Sequence, residues 1–135
     1  MNTVKVIVEC GCDGKFSAFM DCYEYDFGLA GFGNTAKEAI NDFQACVKEE
    51  KEMREKEGKT MPDLIFDIQY DVTSFLSYYS DILSKSGLEK VTGINQKQLW
   101  HYASGKRHPK PETARKIQES LHRFADDLRQ VQFVN

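Results

Sequence analysis

The side chains best suited to chemistry lie between Gly87 and Pro111, where the chain reads GLEKVTGINQKQLWHYASGKRHPKP. They are donors and cations rather than nucleophiles, so they suit recognition of an anionic, hydrogen-bonding surface. Gly93 stands where two helices would reverse sharply, Ile94 can plug the angle between them, and Asn95 is a good N-cap. A helix over residues 96–104 turns Leu99, Tyr102 and Ala103 inward and leaves Gln96, Lys97, Trp100, His101 and Ser104 outward. An outward set of Gln, Lys and His, without Asp or Glu, fits a helix lying in a DNA major groove. Gln96, Lys97 and Gln98 are the candidates for base edges, because Gln pairs well with adenine and Lys with guanine. Lys106, Arg107 and Lys110 follow at once and suit phosphates. The plain alternative is a small helical bundle with a polar surface helix.

Other chemistries are less well supplied. A two-metal nuclease needs several carboxylates converging on its ions. The first half offers Glu9, Asp13, Asp21, Asp26, Asp63, Asp67 and Asp71. Asp67 and Asp71 share a strand face only if a strand runs that far, and Asp13 is explained by a turn. Asp21, Glu24 and Asp26 form an acidic loop suited to a basic partner. Cys10-x-Cys12 has no second cysteine pair, and all three histidines lie in the other half, so a zinc site lacks its ligand set. The expectation is free thiols, no metal and no cofactor.

The elements that must position these residues change character along the chain. Residues 4–8 form a β-branched run, and residues 15–20 alternate in polarity. Asp13-Gly14 between them signals a hairpin, since both residues can take positive φ. Residues 27–32 read as a third short strand. Thr35 and Glu38 have capping-box spacing before an apolar stripe of Ala36, Ala39, Ile40, Phe43, Cys46 and Val47. That helix runs into a charged stretch ended by Gly58, and a strand follows over residues 64–70 with Phe66, Ile68 and Tyr70 on one face. From Val72 the pattern is helical: a first helix ending near Gly87, a second over residues 88–92, the helix from Gln96, and a last helix opened by Pro111. In that last helix Ala114, Ile117, Leu121, Phe124, Leu128 and Val131 recur like a heptad, fitting either its own domain or a dimer seam. The fold class expected is α+β: a small α/β sandwich of three strands, a helix and a strand over residues 1–71, then an all-α domain over residues 72–135.

The formal net charge of -3 hides an asymmetry. Residues 1–71 hold 15 acidic and 8 basic side chains, a net of -7, whereas residues 72–135 hold 6 and 10, a net of +4. An acidic module beside a basic one implies two different partners. No run of about 18 apolar residues exists to span a membrane. The apolar N-terminal stretch is too short for a secretory signal, so the expected location is the reducing cytoplasm.

Two resemblances span nearly the whole chain. The first half resembles HicB-type antitoxins through its hairpin, its glycine-containing strand and the segment Gly31, Gly33, Asn34, Thr35, Lys37, Glu38, Ala39. The second half resembles the helix-turn-helix domain of Cro/cI-like repressors, with 12 residues from Gly93 to Gly105. The resemblance implies a partial ribonuclease H-like first domain that neutralises a small basic HicA-type mRNA-cleaving toxin. It also implies a second domain that binds operator DNA as a homodimer or higher oligomer and represses its own operon. Two departures stand out. The turn before the glycine strand lacks the family's proline, and Glu89 occupies a position where the family carries a small residue. That implies a wider helix crossing or a side chain turned to solvent. The alternatives are a stand-alone repressor whose α/β domain serves dimerisation or ligand sensing, around Cys22, Tyr23 and Tyr25, and, more remotely, a ribonuclease H-like nuclease.

Overall fold

Val4, Val6 and Val8 alternate with Thr3, Lys5 and Ile7, and this two-residue period builds strand β1 (Asn2–Cys10) with the valines on its buried face. In the computed structural model, which describes residues 2–135, β1 pairs antiparallel with β2 (Phe16–Met20), and β2 with β3 (Ala30–Gly33). The β1–β2 turn is tighter in its demands than the sequence implied. Gly14 alone takes a positive φ of 78°, while Asp13 keeps an ordinary backbone and accepts from the Lys15 N–H at 3.0 Å. Strand β3 begins at Ala30 rather than at residue 27, with the Leu29 carbonyl just before it still accepting from the Met20 N–H of β2.

Helix α1 (Ala36–Lys56) starts at Thr35, whose hydroxyl accepts from the Glu38 N–H at 3.1 Å. It ends on Gly58 at φ 75°, with Gly58 N–H bonded to Glu55 and Lys59 N–H to Arg54. The chain then returns as β4 (Leu64–Tyr70), parallel to β1, so the sheet order is β3-β2-β1-β4. Of the three residues assigned to one β4 face, Phe66 and Ile68 pack on the core, whereas Tyr70 at the strand end is 42% exposed. Phe43 from α1 lies edge-on to Phe66 at 5.2 Å and anchors the core between helix and sheet. Gly31 and Gly33 allow α1 to lie directly on β3. A Cβ at position 31 would overlap the Phe43 backbone and sit 2.5 Å from the Ala39 carbonyl oxygen, and one at 33 would sit 2.5 Å from Glu38 Cβ.

The chain divides into two units, Met1–Ser74 and Phe75–Asn135, with the division falling inside helix α2 (Val72–Tyr78). The long first helix expected in the second half is not formed. Helix α2 gives way to a single 3-10 turn, Tyr79–Asp81, and Ser84 starts a new helix, α3 (Lys85–Thr92). Ser84 Oγ accepts from the Gly87 N–H at 3.0 Å, so Gly87 lies in the first turn of α3 and does not end a helix. Helix α4 (Gln96–Ser104) and helix α5 (Pro111–Arg129) complete the unit, and α3 packs against both. Leu76, Leu88, Leu99, Tyr102 and Ile117 are its buried apolar side chains. Among the described residues no helix is long and apolar enough to cross a membrane.

Candidate nucleic-acid interface

The α3–α4 corner is built from local polar bonds. Gly93 ends α3 at φ 75°, with its N–H on the Glu89 carbonyl. Thr92, almost fully buried, donates its hydroxyl hydrogen to the Leu88 carbonyl at 2.7 Å and accepts from the Ile94 N–H at 3.1 Å. Asn95 then caps α4, its side chain accepting from the Gln98 N–H at 3.0 Å. Glu89 neither turns freely to solvent nor stands as an unsatisfied bulk between helices. It is half-buried, and its carboxylate accepts from the Gln96 N–H at 3.1 Å. A carboxylate at a helix N-terminus also meets the positive end of the dipole, so Glu89 ties α3 to the start of α4. Sequence reasoning read this residue as a departure. Nothing local reveals its role, because its partner lies seven residues on.

On α4, Gln96, Lys97, Trp100 and Ser104 are exposed as the helical period requires. Trp100 keeps half of its surface open. Two other assignments change. His101 is buried, not exposed, because Leu99 and Tyr102 draw that side of α4 inward and the ring tucks beside Trp100 at 5.7 Å between centroids. Burial lowers its pKa from the ordinary histidine value, and Lys106, Arg107 and Lys97 push in the same direction, which favours the neutral imidazole. Gln98 is half-buried and donates through Nε2 to the Tyr102 hydroxyl at 2.8 Å, which engages the amide that a base edge would need. Ser104 is exposed, but its hydroxyl bonds the His101 carbonyl at 3.2 Å.

Gly105 ends α4 at φ 81°, and the Arg107 N–H returns to the His101 carbonyl at 3.2 Å, fixing the bend. Lys106, Arg107 and Lys110 are all exposed. Lys110 is the N-cap of α5, with Pro111 next. A lysine cannot accept a hydrogen bond, so the positive end of α5 and the ammonium add together. The face from Gln96 to Lys110 is therefore cationic, with donors projecting from a hydrogen-bonded corner.

The acidic loop is less free than its sequence implied. Arg54 on α1 bonds Asp26 at 2.5 Å and Glu50 at 3.0 Å, and its guanidinium lies 4.6 Å from the Phe27 ring centre. The Arg54 hydrogen bond holds the Asp26 carboxyl below its usual pKa. The clasp holds Asp26 and Phe27 to α1, whereas Leu29 is buried in the core and its carbonyl accepts from the Met20 N–H at 3.0 Å. Asp21 and Glu24 remain exposed. Cys22 and Tyr25 pack against the core and Tyr23 is almost fully exposed, so the three do not line a common pocket. Asp71 accepts from the Ser74 N–H and hydroxyl at 2.9 and 2.7 Å and so caps α2, while Asp67 sits on the exposed face of β4 opposite Lys5. Among the described residues no group of three or more His, Cys, Asp or Glu side chains is arranged to hold a metal ion, and the four cysteines are free thiols.

Comparison with protein-family models, with curated proteins and with solved structures returned no match to the chain. What stands is the class: an α+β protein with, among the described residues, a four-stranded sheet and five α-helices, divided into two units.

Proposed function

We propose that the chain is a HicB-like antitoxin: α3 and α4 act as a helix-turn-helix on duplex DNA, and the first unit neutralises a small basic HicA-type mRNA-cleaving toxin. The observation that carries the DNA half is the cationic corner, with Gln96, Lys97 and Trp100 exposed on one helix and Lys106, Arg107 and Lys110 exposed immediately after it. Helix α4 would lie in the major groove, with Gln96 and Lys97 at base edges and the three later cations on phosphates. Gln98, His101 and Ser104 would serve the corner itself. Two copies would read half-sites about one helical turn apart. The antitoxin half is supported by the resemblance around Gly31–Ala39 and by the net charge of -7 over residues 1–71, which complements an RNA-binding toxin. The partial ribonuclease H-like reading of this unit rests on the same resemblance and is compatible with a sheet covered by α1 on one face.

Fluorescence anisotropy with DNA from upstream of the gene tests the first half. Lys97→Ala should relax base preference, and Arg107→Ala should weaken binding on every sequence. Wild-type behaviour in both variants would refute the assigned face. Expressing the adjacent small reading frame alone and with this chain tests the second half. Growth arrest rescued by co-expression is expected, and a harmless neighbour would refute the antitoxin while leaving DNA binding intact.

A further inference from the structure

Helix α4 carries one large apolar side chain on a face that is otherwise polar. Leu99 and Tyr102 fill the core side of the helix, being 1% and 6% exposed, whereas Trp100 keeps 50% of its surface open. At 3.6 residues per turn, Trp100 projects about 40° from Gln96 and about 60° from Lys97, so it stands between them on the face directed away from the core. Ser104, also exposed, continues that face. Among the described residues, no other exposed large apolar side chain of the second unit lies within the cationic corner. The rest belong to residues 78–82 and to the end of the chain from Phe124. One side of the indole is braced: the buried His101 ring meets it at 5.7 Å between centroids and 62° between planes. A side chain held in this way loses less freedom when its open side meets a ligand.

We infer that Trp100 determines sequence specificity by reading the 5-methyl group of a thymine, within about two base pairs of the base that Gln96 meets. This role rests on α4 lying in the major groove, as proposed above. On the groove floor the edges of guanine, adenine and cytosine present donors and acceptors, and thymine adds the one apolar group, its C5-methyl. An indole face pressed on a guanine or cytosine edge strips water from groups that it cannot bond. Against a thymine methyl it buries apolar surface on both sides. Reach agrees with this: four residues of helix advance about 6 Å, and successive base pairs lie about 3.4 Å apart. The neighbours agree as well. Glutamine pairs with adenine, so Gln96 and Trp100 together select A·T pairs, while Lys106, Arg107 and Lys110 add affinity without sequence.

The probe is duplex DNA from upstream of the gene, made once with thymidine and once with deoxyuridine at every such position, which deletes the methyl and keeps every hydrogen-bonding group. Binding of the full chain is followed by fluorescence anisotropy. One buried methyl is worth about fourfold in affinity, so two half-sites should give roughly a tenfold loss on the deoxyuridine duplex. Restoring thymine one position at a time should recover that loss at a single base pair of each half-site. Trp100→Ala should bind both duplexes alike, near the wild-type affinity for deoxyuridine DNA, with an unchanged far-ultraviolet spectrum because the side chain is half open. Gln96→Ala should keep the tenfold difference. A wild type that binds both duplexes equally, or a recovery spread evenly over many positions, would overturn the methyl contact, and this comparison needs no variant. A Trp100→Ala protein that still distinguishes the duplexes tenfold would place the indole on sugar, phosphate or another base edge and overturn it too. Binding to neither duplex would refute the DNA reading itself and this role with it, whereas tight binding blind to the methyls would refute the role alone.

Discussion

Gly31→Ala should be among the most damaging conservative changes in the first unit. The added methyl would overlap the Phe43 backbone nitrogen and lie 2.5 Å from the Ala39 carbonyl oxygen and 2.7 Å from Phe43 Cα. All three are main-chain atoms of α1, so no rotamer change gives relief and the helix must lift from the sheet. Lifting loosens Ala39 and Phe43, which are 0% and 1% exposed. Overpacking costs about 1–3 kcal/mol, and forcing apart main chain belongs at the upper end. Partial unpacking of the Phe43 ring adds to it, because complete removal of such a ring costs about 3–5 kcal/mol. The lower entropy of an unfolded alanine chain returns about 0.4–1 kcal/mol. The net expectation is about 3 kcal/mol, which for a unit of this size lowers its midpoint by roughly 12–24 °C. Amide hydrogen exchange followed by NMR separates the units. Protection should collapse in β1 and β2, while Trp100, the one tryptophan and a residue of the second unit, should report an unchanged melt. Gly14→Ala is the control: its position has a φ of 78° and open space, so only backbone strain of about 1 kcal/mol applies. If Gly31→Ala shifts the midpoint no more than Gly14→Ala does, the close approach of α1 to β3 is not what the glycine serves.

Glu89→Ala removes the acceptor for the Gln96 N–H and should lower the second unit's stability by about 1 kcal/mol, since water can reach the exposed amide. The same change removes a carboxylate beside the cationic corner, so DNA affinity should rise at low salt; a fall in both would show that Glu89 acts through the fold alone. Arg107→Ala should reduce the slope of log K against log salt by about 0.9 for each phosphate left without its cation, about 1.8 for a dimer, and an unchanged slope would remove Arg107 from the phosphate set. For His101 the folded pKa lies below the unfolded one, so the unfolded chain binds the proton more readily. Stability of the second unit is therefore complete above the unfolded value and declines as pH falls from there toward the depressed folded value. His101→Gln should flatten the pH dependence of the Trp100-detected melt in that window, and an equal dependence in both proteins would assign it elsewhere.

The legible parts were those whose signals and partners lie within a few residues of one another. Thr35, Asn95, Gly58, Gly93, Gly105 and Pro111 all bound their helices where the chain alone placed them, because a cap bonds an N–H or carbonyl two to five residues away. The valines of β1 and the stripe of α1 likewise face the core that their periods require. Ser84 was legible in principle, a hydroxyl followed by a short helix, whereas Gly87 has the residue type of a terminator yet lies in a first turn, where a glycine costs little. Tertiary structure decided the rest. The capping role of Asp71 follows from β4 ending at Tyr70, and Asp26 belongs to Arg54, 28 residues away, once α1 lies over its loop. His101 is inward because Leu99 and Tyr102 on its own helix are held by α3 packing, a rotation that the helical period alone leaves open by tens of degrees. Helix α5 shows the same division: its stripe is written in the order of residues, but how much of it a neighbour covers depends on where α3 ends in space. Periods and caps are properties of adjacent peptide units, whereas burial and ion pairing belong to surfaces that meet only after the chain has folded.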